Sequence, residues 1–148
     1  MSDSEHTRRY RADELDDVVD WLMARAGHCK VWLFTGEPGA GKTTLIRELA
    51  ARLGADPAQV SSPTFSIQNV YPCDSGVIHH FDLYRLRNGR ELLDIGMDEY
   101  LAGGDWCLVE WPGLVLELAP PEYLDIRILH PSTLDSGHRD ISVSRVTN

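Results

Sequence analysis

The sequence predicts one α/β domain whose sheet contains both parallel and antiparallel strands. First, an apolar strand at Val31 to Phe34 leads through a glycine-rich turn into a helix, an order typical of α/β folds. Second, two pairs of strand-like segments are joined by links too short for a crossover helix, so each pair should be antiparallel. Third, 148 residues with 43% hydrophobic and 25% charged side chains suffice for a single domain with its own core.

Two longer helices are expected in the first half of the chain. The polar residues Met1 to Arg9 are predicted to be disordered, so that residues 10–148 form the domain. Apolar residues recur with helical spacing from Asp13 to Arg25, which indicates an amphipathic helix that packs on the core or, alternatively, forms the rim of a nucleotide site. A second helix is expected from Lys42 to Leu53, with Gly54 as its C-terminal cap.

The remaining strands follow from alternating apolar residues and from the turn residues between them. The first two of these strands and the last two are expected to pair as hairpins, through turns at Pro72 to Gly76 and Ser132 to Gly137. One or two short helices, interrupted by Gly96, are expected from Gly89 to Leu101. In chain order the strands are expected near Phe65 to Tyr71, and at Val77 to Phe81, Trp106 to Val109, Leu124 to Leu129 and Ile141 to Val146.

The turn after the first strand carries a nucleotide-binding motif. It fits G-x-x-x-x-G-K-[ST], with Gly36, Gly41, Lys42 and Thr43 in the fixed positions. Backbone N–H groups and the positive end of the helix would face a triphosphate, Lys42 would reach its β- and γ-phosphates, and the Thr43 hydroxyl would bind Mg²⁺. A chance glycine turn is the alternative, but the flanking strand and helix are the context that this motif requires.

The motif therefore predicts ATP or a related triphosphate with Mg²⁺, on a P-loop NTPase-like three-layer fold with a mixed sheet. The residues expected to contact the nucleotide along this loop are Gly36, Glu37, Pro38, Gly39, Ala40, Gly41, Lys42, Thr43 and Thr44.

Two acidic residues follow strands and are candidates for the chemistry of such a site. Asp82 comes directly after Val77 to Phe81, and Glu110 comes directly after Cys107 to Val109. If both strands run parallel to the first strand, both carboxylates lie at the edge of the sheet that carries the glycine-rich turn. We expect Glu110 to bind magnesium and Asp82 to orient the attacking water or the metal, although the sequence leaves the division of roles open.

Three other features near these acids have two interpretations each. The segment Ser61 to Thr64 is either a switch loop whose hydroxyl meets the γ-phosphate or a simple Ser-Pro turn. Trp111 either stacks on adenine or anchors a loop, and Arg85 and Arg87 either neutralise charge or are solvated. The adjacent residues His79 and His80 should point to opposite faces of their strand, so at least one of them is expected to be structural.

Composition limits the function classes. The formal net charge of −9 argues against a broad nucleic-acid-binding surface, although it leaves room for a local basic patch. Cys29, Cys73 and Cys107 have no zinc or redox-motif spacing, which is typical of reduced cytosolic thiols, and Cys107 is expected in the core. The sequence shows no signal peptide at its N-terminus and no apolar run of membrane-spanning length, so a cytoplasmic location and no membrane contact are expected.

Five blocks in order resemble the TsaE family, P-loop ATPases of the bacterial pathway that makes threonylcarbamoyladenosine in tRNA. The blocks are GEPGAGKTTLIRELA, SSPTFSIQNVY, HHFDLYRL, LLDIGMDEYL and CLVEWP, and they span roughly Val31 to Pro112. The resemblance implies a small mixed-sheet fold, weak intrinsic ATP hydrolysis to ADP and work as a partner of the TsaB–TsaD pair.

The resemblance also implies roles for single residues. Lys42 and Thr43 correspond to the P-loop lysine and threonine, Glu110 to the magnesium-binding glutamate and Asp82 to the aspartate needed for hydrolysis. Thr64 corresponds to the threonine of the family's Ser-Pro-Thr block, which favours the switch interpretation.

Trp111 is implied to lie near the nucleotide, and the turn Gly137-His138-Arg139 to reach the base. Two departures stand out. The loop reads Gly36 to Gly39 as Gly-Glu-Pro-Gly where the family usually has Gly-Asp-Leu-Gly, and Gly113 stands where the family often has an acid. The C-terminal hairpin is matched only loosely.

The leading hypothesis is an ATPase that docks on TsaD and uses hydrolysis to reset a tRNA-modifying complex between turnovers. Because the chain is acidic, strong direct binding of tRNA is not expected. A small-molecule P-loop kinase is the first alternative, but it needs an acceptor pocket and usually an arginine-bearing lid, for which the chain leaves little room. A nucleotide sensor without hydrolysis is the second alternative, and Asp82 and Glu110 argue against it if both face the phosphates.

Overall fold

The computed structural model describes residues 3–130 and 137–148. Within these residues, no helix has both the length and the apolarity needed to cross a membrane. The strands are β1 His6–Arg11, β2 Val31–Thr35, β3 Gln68–Cys73, β4 Gly76–Asp82, β5 Trp106–Glu110, β6 Glu122–Leu129 and β7 His138–Thr147. The α-helices are α1 Leu15–Ala26, α2 Lys42–Arg52, α3 Gly89–Asp94, α4 Met97–Ala102 and α5 Gly113–Leu116, and 3-10 turns cover Ala12–Glu14 and Pro57–Gln59.

The strands form one mixed sheet in the order β1-β7-β6-β2-β5-β4-β3. The four central strands β6, β2, β5 and β4 are parallel, whereas β3, β7 and β1 are antiparallel to their neighbours. The mixed sheet and both antiparallel hairpins predicted from the short links are therefore confirmed. The predicted turn Ser132 to Gly137 lies outside the described residues except for Gly137.

Helices cover both faces of this sheet and make three layers. On one face α1 and α2 pack over a core that includes Trp32 and Phe34, and on the other face α3, α4 and α5 pack over a core that includes Leu33. Successive side chains of a strand point to opposite faces, so a central strand buried on both faces is apolar at consecutive positions. This explains why Val31 to Phe34 is an unbroken apolar run.

The turn between β2 and α2 depends on glycine at two positions. Gly39 and Gly41 have φ values of +82° and +107°, a region that other residues enter at a cost. Immediately after Gly41 the chain becomes helical, and α2 buries Leu45, Ile46 and Leu49 against the core. The helix ends at Arg52, one residue before the predicted end, and Gly54 follows with a φ of +94°.

The N-terminal segment differs from its predicted disorder. The expectation of a disordered stretch up to Arg9 is wrong from His6 onward, because β1 (His6–Arg11) begins there and pairs with β7 along its whole length. Only Tyr10 of this strand is buried, so the apolar alternation that reveals a strand in a sequence is missing. Backbone pairing and an ion pair of 2.9 Å between Arg9 and Asp140 hold β1 at the edge instead.

The segment before β3 also differs from prediction. The strand was expected from Phe65, but Phe65 is 85% exposed and β3 begins at Gln68. Ile67, between them, has a φ of +70°, which interrupts the extended conformation. The short helix α5 was not predicted, since four residues are too few for a periodic pattern.

The cysteines behave as the sequence predicts. All three are free thiols, and Cys107 is fully buried in the core on β5. Burial raises the pKa of the Cys107 thiol to about 12, so this thiol stays protonated at neutral pH.

Two adjacent leucines of α3 allow a matched test of the second core. Leu92 is fully buried and Leu93 is half exposed. We expect Leu92→Ala to lower the free energy of unfolding by about 2–5 kcal/mol, because it removes buried methyl groups and leaves a cavity. Leu93→Ala should cost about 1 kcal/mol or less. Urea unfolding followed by circular dichroism measures both, and equal losses would contradict the assigned burial.

Candidate functional site

The parallel strands bring the predicted acids together. β4 and β5 are paired so that Asp82 lies opposite Glu110, and β5 is paired in turn with β2, which leads into the glycine-rich loop, residues 36–43. Both carboxylates are almost fully buried. The condition attached to the sequence prediction, that both strands run parallel to the first, is therefore met.

These residues surround one cavity of about 420 Å³ at the carboxyl edge of the sheet. It brings together most of the residues singled out in the sequence, including Ser62 from the segment 61–64. Tyr84, which was not singled out, also lines it. Its lining consists of Pro38, Gly39, Gly41, Lys42, Thr43, Thr44, Ser62, Thr64, Asp82, Tyr84, Glu110 and Trp111.

Three residues predicted to contact the nucleotide do not line this cavity. Glu37 is exposed to solvent, and Ala40 is buried in the core. Gly36 supports the loop from beneath, since a Cβ atom there would lie 2.9 Å from the carbonyl oxygen of Ile128. Gly36 is therefore required by the close approach of the loop to β6.

Lys42 is a buried cation at the floor of the cavity. Its ammonium donates a hydrogen bond to the carbonyl oxygen of Gly36, and its Nζ lies 3.7 Å from the centroid of the Trp111 ring. Burial lowers the pKa of Lys42, while the charges of Glu110, Asp82 and Glu37 act in the opposite direction. A desolvated ammonium at the start of a helix is suited to bind an anion.

Asp82 is held by the segment that the sequence presented as a switch loop or a turn. Its Oδ2 accepts hydrogen bonds from the hydroxyls of Thr64, at 2.9 Å, and Ser62, at 3.2 Å. Its Oδ1 accepts the backbone N–H of Tyr84 at 3.0 Å. The segment 61–64 is thus attached to the acid. The partners Ser62 and Tyr84 were not assigned from sequence, because only the folded chain shows which hydroxyls and amides meet it.

Glu110 contacts the loop through one oxygen and β4 through the other. Oε1 accepts a hydrogen bond from the Thr43 hydroxyl at 3.4 Å, and Oε2 lies 2.6 Å from Nε2 of His80. His80 is fully buried, whereas His79 points to the other face, where it contacts Tyr100. The prediction of opposite faces is confirmed. The contact with Glu110 was missed, although His80 lies two residues before Asp82 and hence on the same face of β4.

Trp111 adopts a strained backbone conformation beside the acid. Its φ is +55°, which is unusual for a residue with a large side chain and is typical of functional sites. The ring lies over Lys42 and 4.9 Å from the ring of Tyr84. The side chain therefore belongs to the lysine end of the cavity.

The arginines after Asp82 lie outside the cavity. Arg85 is exposed and stacks on the ring of Phe65, with its guanidinium carbon 4.9 Å from the ring centroid. Arg87 is exposed as well, as its solvated interpretation predicts.

A second cavity of about 290 Å³ adjoins the first, with Gly41 and Thr44 common to both. Tyr10 from β1 and Leu15 from α1 line it, so α1 both packs on the core and borders this cavity. Arg139 closes it from β7, where its Nε donates a hydrogen bond to the carbonyl oxygen of Ala40 at 3.1 Å. The contribution of β1 could not be foreseen, because that strand was not predicted.

Comparison with known proteins gives one consistent family. Residues 10–141 match the family model described as "Threonylcarbamoyl adenosine biosynthesis protein TsaE". A Bacillus subtilis protein named tRNA threonylcarbamoyladenosine biosynthesis protein TsaE is 39% identical over 141 residues, which cover 95% of this chain and 85% of that protein. A Rickettsia felis protein of the same name is 32% identical over 116 residues, or 78% of this chain.

The coverage of these relatives differs. The alignments span 64% of the Rickettsia felis protein and 63% of its Rickettsia conorii counterpart, slightly less than two thirds of their length. Among solved structures, the crystal structure of YdiB from Bacillus subtilis is similar, with a TM-score of 0.71 and 29% identity. That match covers 100% of this chain and 89% of the other, and agrees with the predicted P-loop NTPase-like α/β fold.

The environment of Lys42 generates a test of the site's electrostatics. Because burial lowers its pKa, we expect Lys42 to titrate below the ordinary lysine value of about 10.4. Glu110→Gln removes a charge that raises this pKa, so the midpoint should fall further. The chain has only Lys30 and Lys42, so ¹³C NMR of lysine-labelled protein gives two side-chain signals, which Lys42→Arg assigns. A midpoint that rises in Glu110→Gln would contradict this arrangement.

Proposed function

The chain belongs to the TsaE family of threonylcarbamoyl adenosine biosynthesis proteins, and we propose that it binds ATP with Mg²⁺ and hydrolyses it. The hydrolysis would support the threonylcarbamoyl modification of a tRNA adenosine, in the cytoplasm. The observation that carries the proposal is the convergence of Lys42, Thr43, Asp82 and Glu110 on one cavity at the carboxyl edge of the parallel strands.

The glycine-rich loop provides the phosphate site of the proposal. Its backbone N–H groups and the N-terminus of α2 favour negative charge, and the buried ammonium of Lys42 adds a full positive charge. In exchange for the Gly36 carbonyl oxygen, Lys42 would gain phosphate oxygens as hydrogen-bond acceptors.

The oxygens of Thr43 and Glu110 fit a magnesium ion. They are hard ligands, already within 3.4 Å of each other. In the described part of the chain, no three side chains of His, Cys, Asp or Glu cluster as a metal site, and magnesium is commonly held by one or two carboxylates together with substrate phosphates. When bound, the ion would neutralise charge that develops on the phosphates.

The same contacts support a division of roles between the two acids. Glu110 lies beside the Thr43 hydroxyl, so we assign it to magnesium. Asp82 contacts the segment 61–64 instead, so we assign it to the attacking water. Its carboxylate, fixed by two hydroxyls and one backbone N–H, would accept a hydrogen bond from that water and orient it.

The second cavity is our proposed site for the nucleoside. It shares Gly41 and Thr44 with the phosphate site, whereas Trp111 lines only the first cavity. Its walls combine apolar groups with the Tyr10 ring and Arg139, an environment suited to a flat aromatic base. Trp111 would then cover the phosphates rather than stack on the adenine.

We propose TsaD and TsaB as partners, on the basis of the family. The cavity is flanked by two exposed aromatic residues, Phe65 at 85% and Tyr84 at 62% exposure, which core packing does not require. A partner docked there would exclude water and complete the site, as in other P-loop switches, and weak hydrolysis by the isolated protein follows.

The function is tested by ATP hydrolysis with the purified chain, alone and with TsaB and TsaD from the same source. We expect a low rate alone, a rate at least about tenfold higher with the pair, and loss of activity in Lys42→Ala because the phosphates lose their cation. Asp82→Asn should retain ATP binding while hydrolysis falls about 10²–10⁴-fold.

Two results would redirect the proposal. A rate of ATP hydrolysis that TsaB and TsaD do not change, but that a small metabolite increases, would favour a kinase. Detection of the phosphorylated metabolite would test this directly. Unchanged turnover in Asp82→Asn would remove that acid from catalysis.

The nucleoside site is tested by filling the second cavity. We expect Ala12→Trp to weaken ATP binding about tenfold or more, because the indole occupies the proposed base site, while the affinity for inorganic tripolyphosphate stays within about twofold. Isothermal titration calorimetry measures both ligands. A variant that loses both affinities equally, or neither, would place the base elsewhere.

A further inference from the structure

A network of buried hydrogen bonds leads from Glu110, the proposed magnesium ligand, into the sheet. Oε2 of Glu110 lies 2.6 Å from Nε2 of His80, and Nδ1 of the same imidazole lies 2.8 Å from the hydroxyl of Tyr71 on β3. His80 is fully buried, and Tyr71 is 2% exposed. Because buried polar atoms of this kind require partners, each side chain fixes the orientation of the next.

The donors along this chain can be ordered in one direction. With its proton on Nε2, the imidazole donates to the Glu110 carboxylate, which can only accept, and Nδ1 accepts the hydroxyl proton of Tyr71. The Tyr71 oxygen then accepts the backbone N–H of Ser61 at 3.4 Å and the side-chain amide of Asn69 at 3.4 Å. The Ser61 carbonyl oxygen, 3.2 Å from the same hydroxyl, is a second acceptor for the single Tyr71 proton, and in this arrangement it accepts from Asn69 instead. Every group has a suitable partner in this arrangement.

The far end of the chain is the beginning of the segment that holds the second acid. Ser61 precedes Ser62 and Thr64, whose hydroxyls bind Asp82. Asn69 also donates to the Ser61 carbonyl oxygen at 3.1 Å, so β3 fixes Ser61 from two side chains. The network therefore connects Glu110, through His80, Tyr71 and Ser61, to the segment that holds Asp82.

We propose that His80 and Tyr71 are positioning residues for ATP hydrolysis, which rests on the proposed function. His80 holds Oε2 of Glu110 so that Oε1 remains directed at Thr43 and the metal. Tyr71 ties that imidazole to the segment 61–64, and so sets the position of Asp82 relative to Glu110. Partners of this kind orient metal-binding carboxylates and strengthen metal binding.

Three conservative variants separate the steps of this network. His80→Gln keeps a donor near the position of Nε2, and His80→Asn keeps polarity near Nδ1 but loses the contact with Glu110. Tyr71→Phe removes only the hydroxyl. His79→Gln is the matched control, since this neighbouring histidine faces the opposite side of β4 and contacts Tyr100 instead of the site.

The main measurement is ATP affinity by calorimetry, in EDTA and at increasing Mg²⁺ concentration. In the wild type we expect Mg²⁺ to increase the affinity for ATP. The Mg²⁺ concentration at which half of this increase is reached should be about 10–100-fold higher in His80→Asn. His80→Gln should recover most of this loss, and Tyr71→Phe should show a smaller rise together with a lower kcat at saturating Mg²⁺. Affinity in EDTA should stay within about twofold throughout, because Lys42 and its loop are untouched.

A measurement without metal or nucleotide tests the network directly. In ¹⁵N-histidine-labelled protein we expect a protected Nε2–H resonance from His80, assigned by its absence in His80→Gln. Tyr71→Phe should speed its exchange with water, whereas His79→Gln should leave it unchanged. If His80→Asn does not fold, Tyr71→Phe carries the test, since it retains the buried ring.

The outcomes distinguish this inference from the proposed function. A wild-type chain whose ATP affinity does not respond to Mg²⁺ would overturn both. A normal response in wild type, with the same Mg²⁺ dependence and the same kcat per folded molecule in His80→Asn and Tyr71→Phe, would overturn the positioning role alone.

Discussion

The parallel pairing of β4, β5 and β2 is the constraint on which the rest of the structure depends. It aligns three strand ends at one edge of the sheet, so that Asp82, Glu110 and the glycine-rich loop meet without any long connection between them. The helices α1 to α5 cover the two faces and leave this edge open. Ligand sites of open α/β sheets occur at this edge for the same reason.

Opposite charges and hydrogen bonds explain why the charged side chains at this edge can be buried. The Lys42 ammonium lies among the carboxylates of Glu110, Asp82 and Glu37, and each of the two buried acids has hydrogen-bond donors besides it. Burying any one of these charges alone would be costly, whereas here each buried group has an opposite charge or a hydrogen-bond partner nearby. Burial still lowers the pKa of Lys42, because desolvation outweighs the effect of these three carboxylates.

Local sequence patterns predict most of the fold. They also predict the part of the site that lies on helices and strands with a clear apolar pattern. The apolar run of β2, the motif that follows it and the acids that end β4 and β5 are short-range patterns, and the structure brings them to one edge of the sheet. The roles that patterns alone left open were predicted from the family resemblance, and they remain part of the proposed function.

What the sequence did not show depends on long-range contacts. β1 has a polar sequence and exists because β7 offers it an edge, and the contact between His80 and Glu110 joins residues on different strands. The second cavity was missed for both reasons: one of its walls comes from β1, which was not predicted, and its other walls come from the distant elements α1 and β7. Such contacts have no local signature, because they follow from the order of strands in the sheet.

The position of Tyr10 and Arg139 in the sequence affects when this site can form during protein synthesis. These residues lie on β1 and β7, which pair with each other although nearly the whole domain separates them in sequence. On the ribosome, the first strand must therefore wait without its partner until β7 has emerged. The central strands and the glycine-rich loop can assemble earlier, so the second cavity, our proposed nucleoside site, is completed last, when β1 pairs with β7.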